Sequence, residues 1–580
     1  MTDDPVSLQK EPKGPRPVDR PPAQRAAPRA APYAAPHAAP HAAPRVHGPM
    51  PPPYFVRPTK FERMMRRWPK PEPLRPAFVG AAAAAGLVGA LTLGPMLLEG
   101  ALGVGLPIVA VAVAAVSGAA AHRAGRLVAP ATRGRRGLAR VNRTAIVFAL
   151  LALALVGTAA VRDADWIVAL ALLLAMPVAS YTAAGGRSWT ELIGGGLAYP
   201  ASALRMVPWA ARGVGGAATS ERGVTWPVIR TGLLVAGLLL VFGALFAGAD
   251  AAFGDLVSGL VPDVSGGDMF GYGFAFVVTM LAALAGVHLA QAPPPLHLLT
   301  PPRPAPAGRW SWIVPIAALD LLFLAFCAVQ ARVFLAADKD ALLAETGLTY
   351  AEYARQGFFQ LLVVTVLVIA VIALAMTWAP SATRADRASV RTLLGLLCAL
   401  TLVVVAVALR RMYLYEEAFG WTRLRLWVHA FEMWLGLVVV LGAVGAVFGF
   451  RRSLLPRAIA GSGAAALLAL AALNPDAFIA ERNVDRFEAT GKIDVLYLRG
   501  LSADAVPALD RLPEPQRSCA LRQIARNLED DEPGMAANLA RARARDVLAD
   551  RPVERRASGY QACYEMTNPY APSRTASPGY

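Results

Sequence analysis

Lysine is almost missing from this chain of 580 residues: six of its 57 basic residues are Lys and the rest are Arg. No Gly-rich loop followed by Lys-Ser/Thr occurs, so a nucleotide hydrolase built on such a phosphate cradle is excluded. Nor does a phosphoacceptor helix run into a nucleotide-binding domain of the histidine-kinase kind, so any signalling needs a partner protein. Cysteine is as scarce: Cys327 and Cys398 sit in apolar runs, Cys519 and Cys563 in the polar C-terminal part, and no spacing among the four suits a metal. His37, His41 and His47 are irregularly spaced among prolines, which does not make a zinc site. Charged residues are only 17% of the chain and hydrophobic ones 56%, whereas soluble domains carry about 25% and about 45–50%.

What is abundant is apolar sequence, with a mean hydropathy of +0.44. A helix needs about 20 apolar residues to cross the hydrocarbon core. Eleven runs approach or exceed that length, near 77–97, 101–121, 144–161, 166–184, 226–248, 270–290, 310–332, 357–379, 392–409, 426–450 and 454–473. The fold class is all-α, a polytopic transmembrane helical bundle of about eleven spans. The first run begins only near Ala77, behind a long basic tail, and reads as an uncleaved signal anchor rather than a cleavable signal peptide.

The net charge of +17 does not mark a nucleic-acid binder, because the arginines lie in the tail and in short loops rather than along one helix face. They read as topology signals. The loop 122–143 holds Arg123, Arg126, Arg133, Arg135, Arg136, Arg140 and Arg143, and is placed in the cytoplasm. The loop 249–269 has four aspartates and no basic residue, and faces outward. Loops with Arg303 and Arg309, with Arg384, Arg387 and Arg391, and with Arg451, Arg452 and Arg457 then fall inside. An odd number of spans puts the N-terminus inside the plasma membrane and the C-terminal part outside. The lipid bilayer is the first partner, an envelope or membrane protein the second; neither a cofactor nor nucleic acid is implied.

The chain divides into four domains. Residues 1–75, rich in Pro, Ala and Arg, read as a disordered cytoplasmic tail whose basic end, Phe61 to Arg75, suits anionic headgroups. Residues 76–473 are the membrane domain, in which 185–225 is too polar to span and reads as an interfacial amphipathic helix or as packing beneath the bundle. Residues 474–560 read as a small soluble helical domain, with Asp476 capping a first helix that stops at Gly491 and Leu521, Ile524 and Leu528 spaced along a later one. Residues 561–580 are a flexible tail. On the oxidising side of the membrane, Cys519 and Cys563 could close a disulfide loop.

The candidate functional cluster lies around the ninth and tenth spans. Arg410, Arg411, Tyr413, Glu416, Glu417, Arg423 and Arg425 occupy a link that should face outward, so its arginines break the charge rule. They are expected to be held by partners, with Glu416 and Glu417 nearest in sequence. If the next segment is helical, Arg425, His429 and Glu432 share one face running into the membrane, and Asp320 stands mid-span in the seventh run. Ionisable groups at such depth cost about 2.5–3.5 kcal/mol each on insertion scales, so they pair or line a polar cavity. His429 and Glu432 have no second His-containing pair, which leaves a metal site unsupported.

Arg411-Met-Tyr-Leu-Tyr-Glu-Glu-Ala-Phe-Gly-Trp-Thr-Arg-Leu-Arg425, followed by Asn474-Pro-Asp-Ala-Phe-Ile-Ala-Glu-Arg-Asn-Val-Asp-Arg486 and by Asp494-Val-Leu-Tyr-Leu-Arg-Gly-Leu501, resembles the bacterial DUF4153/DUF4173 family, often found in actinobacteria. The resemblance covers roughly residues 220–510. It implies a multi-pass membrane protein, brings no catalytic residue, and ties the outer link to the Asn-Pro-Asp segment. Related sequences read Tyr-Gly-Leu-Thr where this chain has Phe419-Gly-Trp-Thr422. Three functions stand open: envelope-associated signalling or scaffolding through an external C-terminal domain, transport using Asp320, His429 and Glu432, and a membrane transferase using Asp163, Asp165, Glu416 and Glu417. No internal duplication of the kind transporters show is evident.

Overall fold

In hydrocarbon a backbone must satisfy its own N–H and C=O groups, and an α-helix does so within one segment. The computed structural model describes residues 58–125, 128–129, 140–218, 266–300, 308–335, 357–378, 383–447, 454–529 and 534–554, with isolated positions such as Leu238, Asp250 and Cys563. In chain order its first helices are α1 (Lys60–Arg67), α2 (Pro76–Glu99), α3 (Gly105–Arg123), α4 (Arg143–Val161), α5 (Asp165–Ala184), α6 (Trp189–Gly196) and α7 (Ala198–Ala218). Then come α8 (Gly266–Gln291), α9 (Arg309–Leu335), α10 (Phe358–Trp378), α11 (Arg384–Phe419), α12 (Arg423–Val447) and α13 (Leu455–Ala472). Ten helices among the described residues, all of these but α1, α6 and α7, are long and apolar enough to cross a membrane. The chain is a multi-pass, all-α integral membrane protein; a two-residue ladder pairs Val128 with Val141. The ten match ten of the expected spans, and the remaining one, 226–248, lies outside the described residues but for a few positions.

Small residues let these helices approach closely. Along α2, Gly86, Gly89 and Gly94 face Phe276, Thr279 and Tyr272 of α8, and a Cβ at Gly89 would stand 2.6 Å from that of Thr279. Pairing Gly94 with Tyr272 fixes the end of α2 beside the start of α8. A second group, α9 to α12, packs around Leu394, Leu397, Val404 and Val439. The 36 residues of α11 make a helix of about 54 Å, well beyond the roughly 30 Å hydrocarbon core. Arg410 to Phe419, expected as a link, is therefore helix, and the link shrinks to Gly420, Trp421 and Thr422.

Asn474, in left-handed conformation at φ +59°, turns the chain out of α13. Beyond it lie α14 (Pro475–Thr490), α15 (Val495–Leu498), α16 (Val506–Leu509), α17 (Gln516–Asn527) and α18 (Leu539–Asp550). Their buried Ile479, Val484, Leu498, Leu509 and Leu521 belong to one core with Leu155 of α4, Ile167 of α5 and Leu467 of α13. The C-terminal domain is thus a cap continuous with the bundle. Contrary to the expectation from its position, Asp476 does not cap α14; Asn474 holds the N-cap place and the Asp476 carboxylate is used elsewhere. At the opposite end, residues 58–75 of the expected tail are described. A capping box between Thr59 and Glu62 starts α1, and buried Trp68 donates from Nε1 to the Ala292 carbonyl at 2.6 Å. Nearby, α7 buries Ser202, Met206 and Trp209 and turns Leu204 and Val207 outward.

Candidate functional site

The three sequence segments that carry the family resemblance meet at the capped end. Gly420 ends α11 at φ +80°, a backbone region costly for other residues, and a Cβ there would stand 2.5 Å from Asn483 Oδ1. Asn483 of α14 holds the turn as a strand would: Oδ1 accepts from Trp421 N (3.2 Å) and Nδ2 donates to Trp421 O (2.9 Å). Tyr497 Oη accepts from Arg423 N at 2.6 Å.

Arg423, in the first turn of α12, then grips Asp476. Its Nε donates to Asp476 Oδ1 at 2.9 Å and its Nη2 to Oδ2. Asp476 is fully buried and also accepts from Trp166 Nε1 (3.1 Å) and Ser502 N (2.9 Å). Burial pushes this carboxyl up, but the hydrogen bond and charge of Arg423, with the Ser502 and Trp166 donors, outweigh it and hold the group below its usual value.

A second network lies beside the first. Asp504 Oδ2 accepts from the backbone N–H groups of Asp163 (2.7 Å) and Ala164 (3.2 Å), at the start of α5. Asp163 answers by accepting from Ala503 N (2.9 Å) and from Arg541 Nη1 (2.8 Å). Arg162 donates to the carbonyls of Ala471 and Ala472 and stands 3.5 Å from Asp504. With its amide nitrogen turned to Asp504 Oδ1 (3.0 Å), Asn474 joins the set. Asn538 donates to the carbonyls of Ala159 and Arg162, satisfying the last turn of α4. Burial raises the Asp504 carboxyl, with the Asp163 N–H and Arg162 only partly opposing it. Over this network opens a cleft of about 340 Å³, lined by Arg162, Asn474, Glu481, Asp504, Arg511 and Arg543 among others.

The expected partners of Arg423 and Arg425 are corrected. Arg425 turns back to the Phe419 and Gly420 carbonyls and lies 4.3 Å over the Tyr415 ring, and Arg411 reaches Gln330. Arg410 belongs to the same end of α11, Tyr413 is exposed there, and Glu417 is exposed too. Glu416 instead faces α12, where His429 Nδ1 stands 3.5 Å from its Oε2, longer than an ordinary hydrogen bond. Proximity in sequence pointed to the wrong carboxylates because the turn at Gly420 aims Arg423, at the start of α12, toward the cap.

Deeper in the bundle, Glu432 is fully buried and accepts from Thr365 of α10 at 3.1 Å, leaving Oε2 unpartnered among the described residues. Asp320, on α9, is buried with neither carboxylate oxygen bonded among the described residues. Glu416 and His429 are brought together, Glu432 lies one turn further along α12, and Asp320 shares no bond with any of them. Of the four acids offered to a transferase, Asp163 accepts from Ala503 N and Arg541, and Glu416 is closed under His429. Within the cap, Cys519 and Cys563 are joined by a disulfide with a Cα–Cα distance of 5.6 Å. Beside it Arg517, 1% exposed, is held by Asp510, Glu514 and the carbonyls of Arg551 and Pro552.

Arg162, Asp504, Asn538 and Arg541 had no signal in the sequence, since their partners lie more than 300 residues away or on bare backbone. Once this geometry is in hand, a comparison with protein families is informative: the model for a domain of unknown function, DUF4153, matches residues 149–512. That span runs from within α4 past α16 and takes in Arg162, Asp163, Arg423, Asp476 and Asp504, while Asn538 and Arg541 lie beyond it. No curated protein and no solved structure matches the chain.

Proposed function

The chain belongs to the DUF4153 family, and from that premise we propose that it is an envelope-associated signalling or scaffolding protein working through its C-terminal cap. The observation that carries this reading is the clamp of Asp476 by Arg423 and Trp166, which joins the cap to the first turns of two spans. Any partner seated on the cap therefore acts on α5 and α12 directly, and the cleft lined by Arg162, Glu481, Asp504 and Arg543 offers it a polar surface contributed by both cap and bundle.

Charge supports an outward cap. Basic loops near Arg123, Arg309, Arg384 and Arg457 gather at the tail end, where α3 and α5 finish and α9, α11 and α13 begin. Arginines at the capped end are engaged instead, Arg162 by carbonyls and Asp504, Arg423 by Asp476 and Arg425 by carbonyls. They do not compete as topology signals. Tyr199 and Ser202 of α7 bond the carbonyls of Ala282 and Ala285 in the tail-end half of α8, whereas α8 begins at the capped end. A crossing between Ala218 and Gly266 is what the expected span 226–248 would supply, and it would keep the N-terminus inside and the cap outside.

The test is chemical crosslinking of the full-length protein in native membranes, comparing wild type with Arg543→Glu and with Arg526→Glu, which lies away from this cleft. Arg543 is exposed, so its replacement should leave the fold unchanged. A partner whose yield drops several-fold only in Arg543→Glu supports the reading; an identical partner set in all three chains overturns it.

One observation favours transport as a second reading. Unpartnered carboxylates inside spanning helices are expensive, and among the described residues Asp320 and Glu432 each keep at least one buried, unbonded oxygen. On this reading, proton or small-ion flux in proteoliposomes falls to background in Asp320→Asn and in Glu432→Gln. Wild-type flux no higher than that of empty vesicles, or undiminished flux in both variants, removes it.

A further inference from the structure

Between α4, α5, α6, α12 and α13 runs a groove of about 570 Å³, lined by apolar side chains including Phe148, Leu174, Ile193, Trp427, Trp434 and Leu467. Tyr181 is its polar edge. Four of the five helices are membrane spans, so the groove lies in the hydrocarbon layer and extends toward the tail end, where α5 finishes and α13 starts. At that end stands Arg457, in the first turn of α13. Its Nε donates to Tyr181 Oη (2.9 Å) and to the Gly186 carbonyl (2.7 Å). Both bonds use the inner edge of the guanidinium. Its two terminal nitrogens make no hydrogen bond or ion pair among the described residues.

We propose that this groove holds one acyl chain of an anionic phospholipid from the leaflet at the tail end, with the lipid phosphate seated on the free edge of Arg457. Two independent features converge on that chemistry. An apolar trough among spanning helices selects hydrocarbon, and a planar guanidinium fixed by one nitrogen presents a bidentate edge suited to phosphate oxygens. Basic pockets between spans are a recurrent way of selecting anionic headgroups. The groove has a natural stop: Gly463 lies against the Trp434 indole, where an added Cβ would come within 3.3 Å of the ring. A larger side chain at Gly463 would project into the space assigned to the acyl chain.

The experiment is native mass spectrometry of the full-length protein, delipidated in detergent and then offered equal phosphatidylglycerol and phosphatidylcholine in mixed micelles. Wild type is expected to retain one phosphatidylglycerol per chain, preferred about tenfold, as a single charge-assisted contact allows. Arg457→Gln should lose the preference while still admitting lipid, Arg457→Lys should keep part of it, and Gly463→Leu should retain neither lipid. Equal retention of the two lipids by wild type, no retained lipid, or an undiminished preference in Arg457→Gln overturns the proposal. Should Gly463→Leu fail to fold, the Arg457 pair decides alone.

Discussion

Arg423→Ala is expected to loosen the cap from the bundle by about 3 kcal/mol, seen as faster amide hydrogen exchange across α14 and α15 and a lower first thermal transition. The reason is an asymmetry. Removing one member of a buried ion pair costs about 3–5 kcal/mol because the other charge is left without a partner, whereas the intact pair contributes little on balance. Asp476 is fully buried and keeps only Trp166 and Ser502 as donors when the guanidinium is gone. The lower end of the range applies because the Arg423 side chain is 34% exposed. Asp476→Asn, which removes the charge and keeps the shape, should cost less. Unchanged exchange in Arg423→Ala would show that the shared apolar core alone holds the cap.

The same carboxylate sets a pH expectation. Because Asp476 is held below its usual value, its stabilisation is complete above the ordinary aspartate pKa of about 3.9 and is lost only as pH falls through the lower folded value. Asp504 has the opposite sign: its folded value is raised, so its ionised form opposes docking at neutral pH and that opposition fades on mild acidification. Docking should therefore hold, or tighten slightly, between pH 7 and pH 5, as followed by hydrogen exchange. Release of the cap in that window would contradict both assignments.

Reduction of the disulfide should have the largest effect on the cap itself. A crosslink spanning 44 residues removes chain entropy from the unfolded cap worth about 4 kcal/mol. Cys519→Ser or treatment with a phosphine reductant should lower the thermal midpoint of the cap while leaving the spans helical by circular dichroism. The same bond reports orientation. In intact cells expressing a chain with Cys327 and Cys398 replaced by Ala, a membrane-impermeant maleimide should label Cys519 and Cys563 only after reduction. Labelling that requires cell lysis would place the cap on the inner side and redirect the search for partners to the cytoplasm.

The spans were legible because bilayer thickness imposes a length on apolar sequence, and runs such as 144–161 and 357–379 could be bounded from composition alone. The helix at Lys60–Arg67 carried a readable signal too, since Thr59-Lys-Phe-Glu62 has the spacing of a capping box. Its Pro-rich surroundings masked it. The docking of the cap left no comparable trace. Asp163 and Asp504 meet across 341 residues, and a lone aspartate that accepts from backbone N–H groups has neither period nor motif. Asp476 was misassigned for a related reason: a carboxylate near a helix start usually serves that helix, and only the position of Arg423 diverts it. Buried Arg517 was likewise invisible, because a surface arginine and one ringed by Asp510 and Glu514 are written with the same letter.

The contact between Asp504 and the start of α5 also imposes an order on biosynthesis. Chains grow at about 5–20 residues per second, so the 341 residues from Asp163 to Asp504 take roughly twenty seconds to a minute to emerge. Throughout that interval Arg162, and later Arg423, wait at their hairpin tips without the carboxylates that will neutralise them. A ribosome that stops before Asn474 leaves Arg162 without Asp504 and Arg423 without Asp476. Docking of the finished cap is thus the step that brings both arginines their carboxylates.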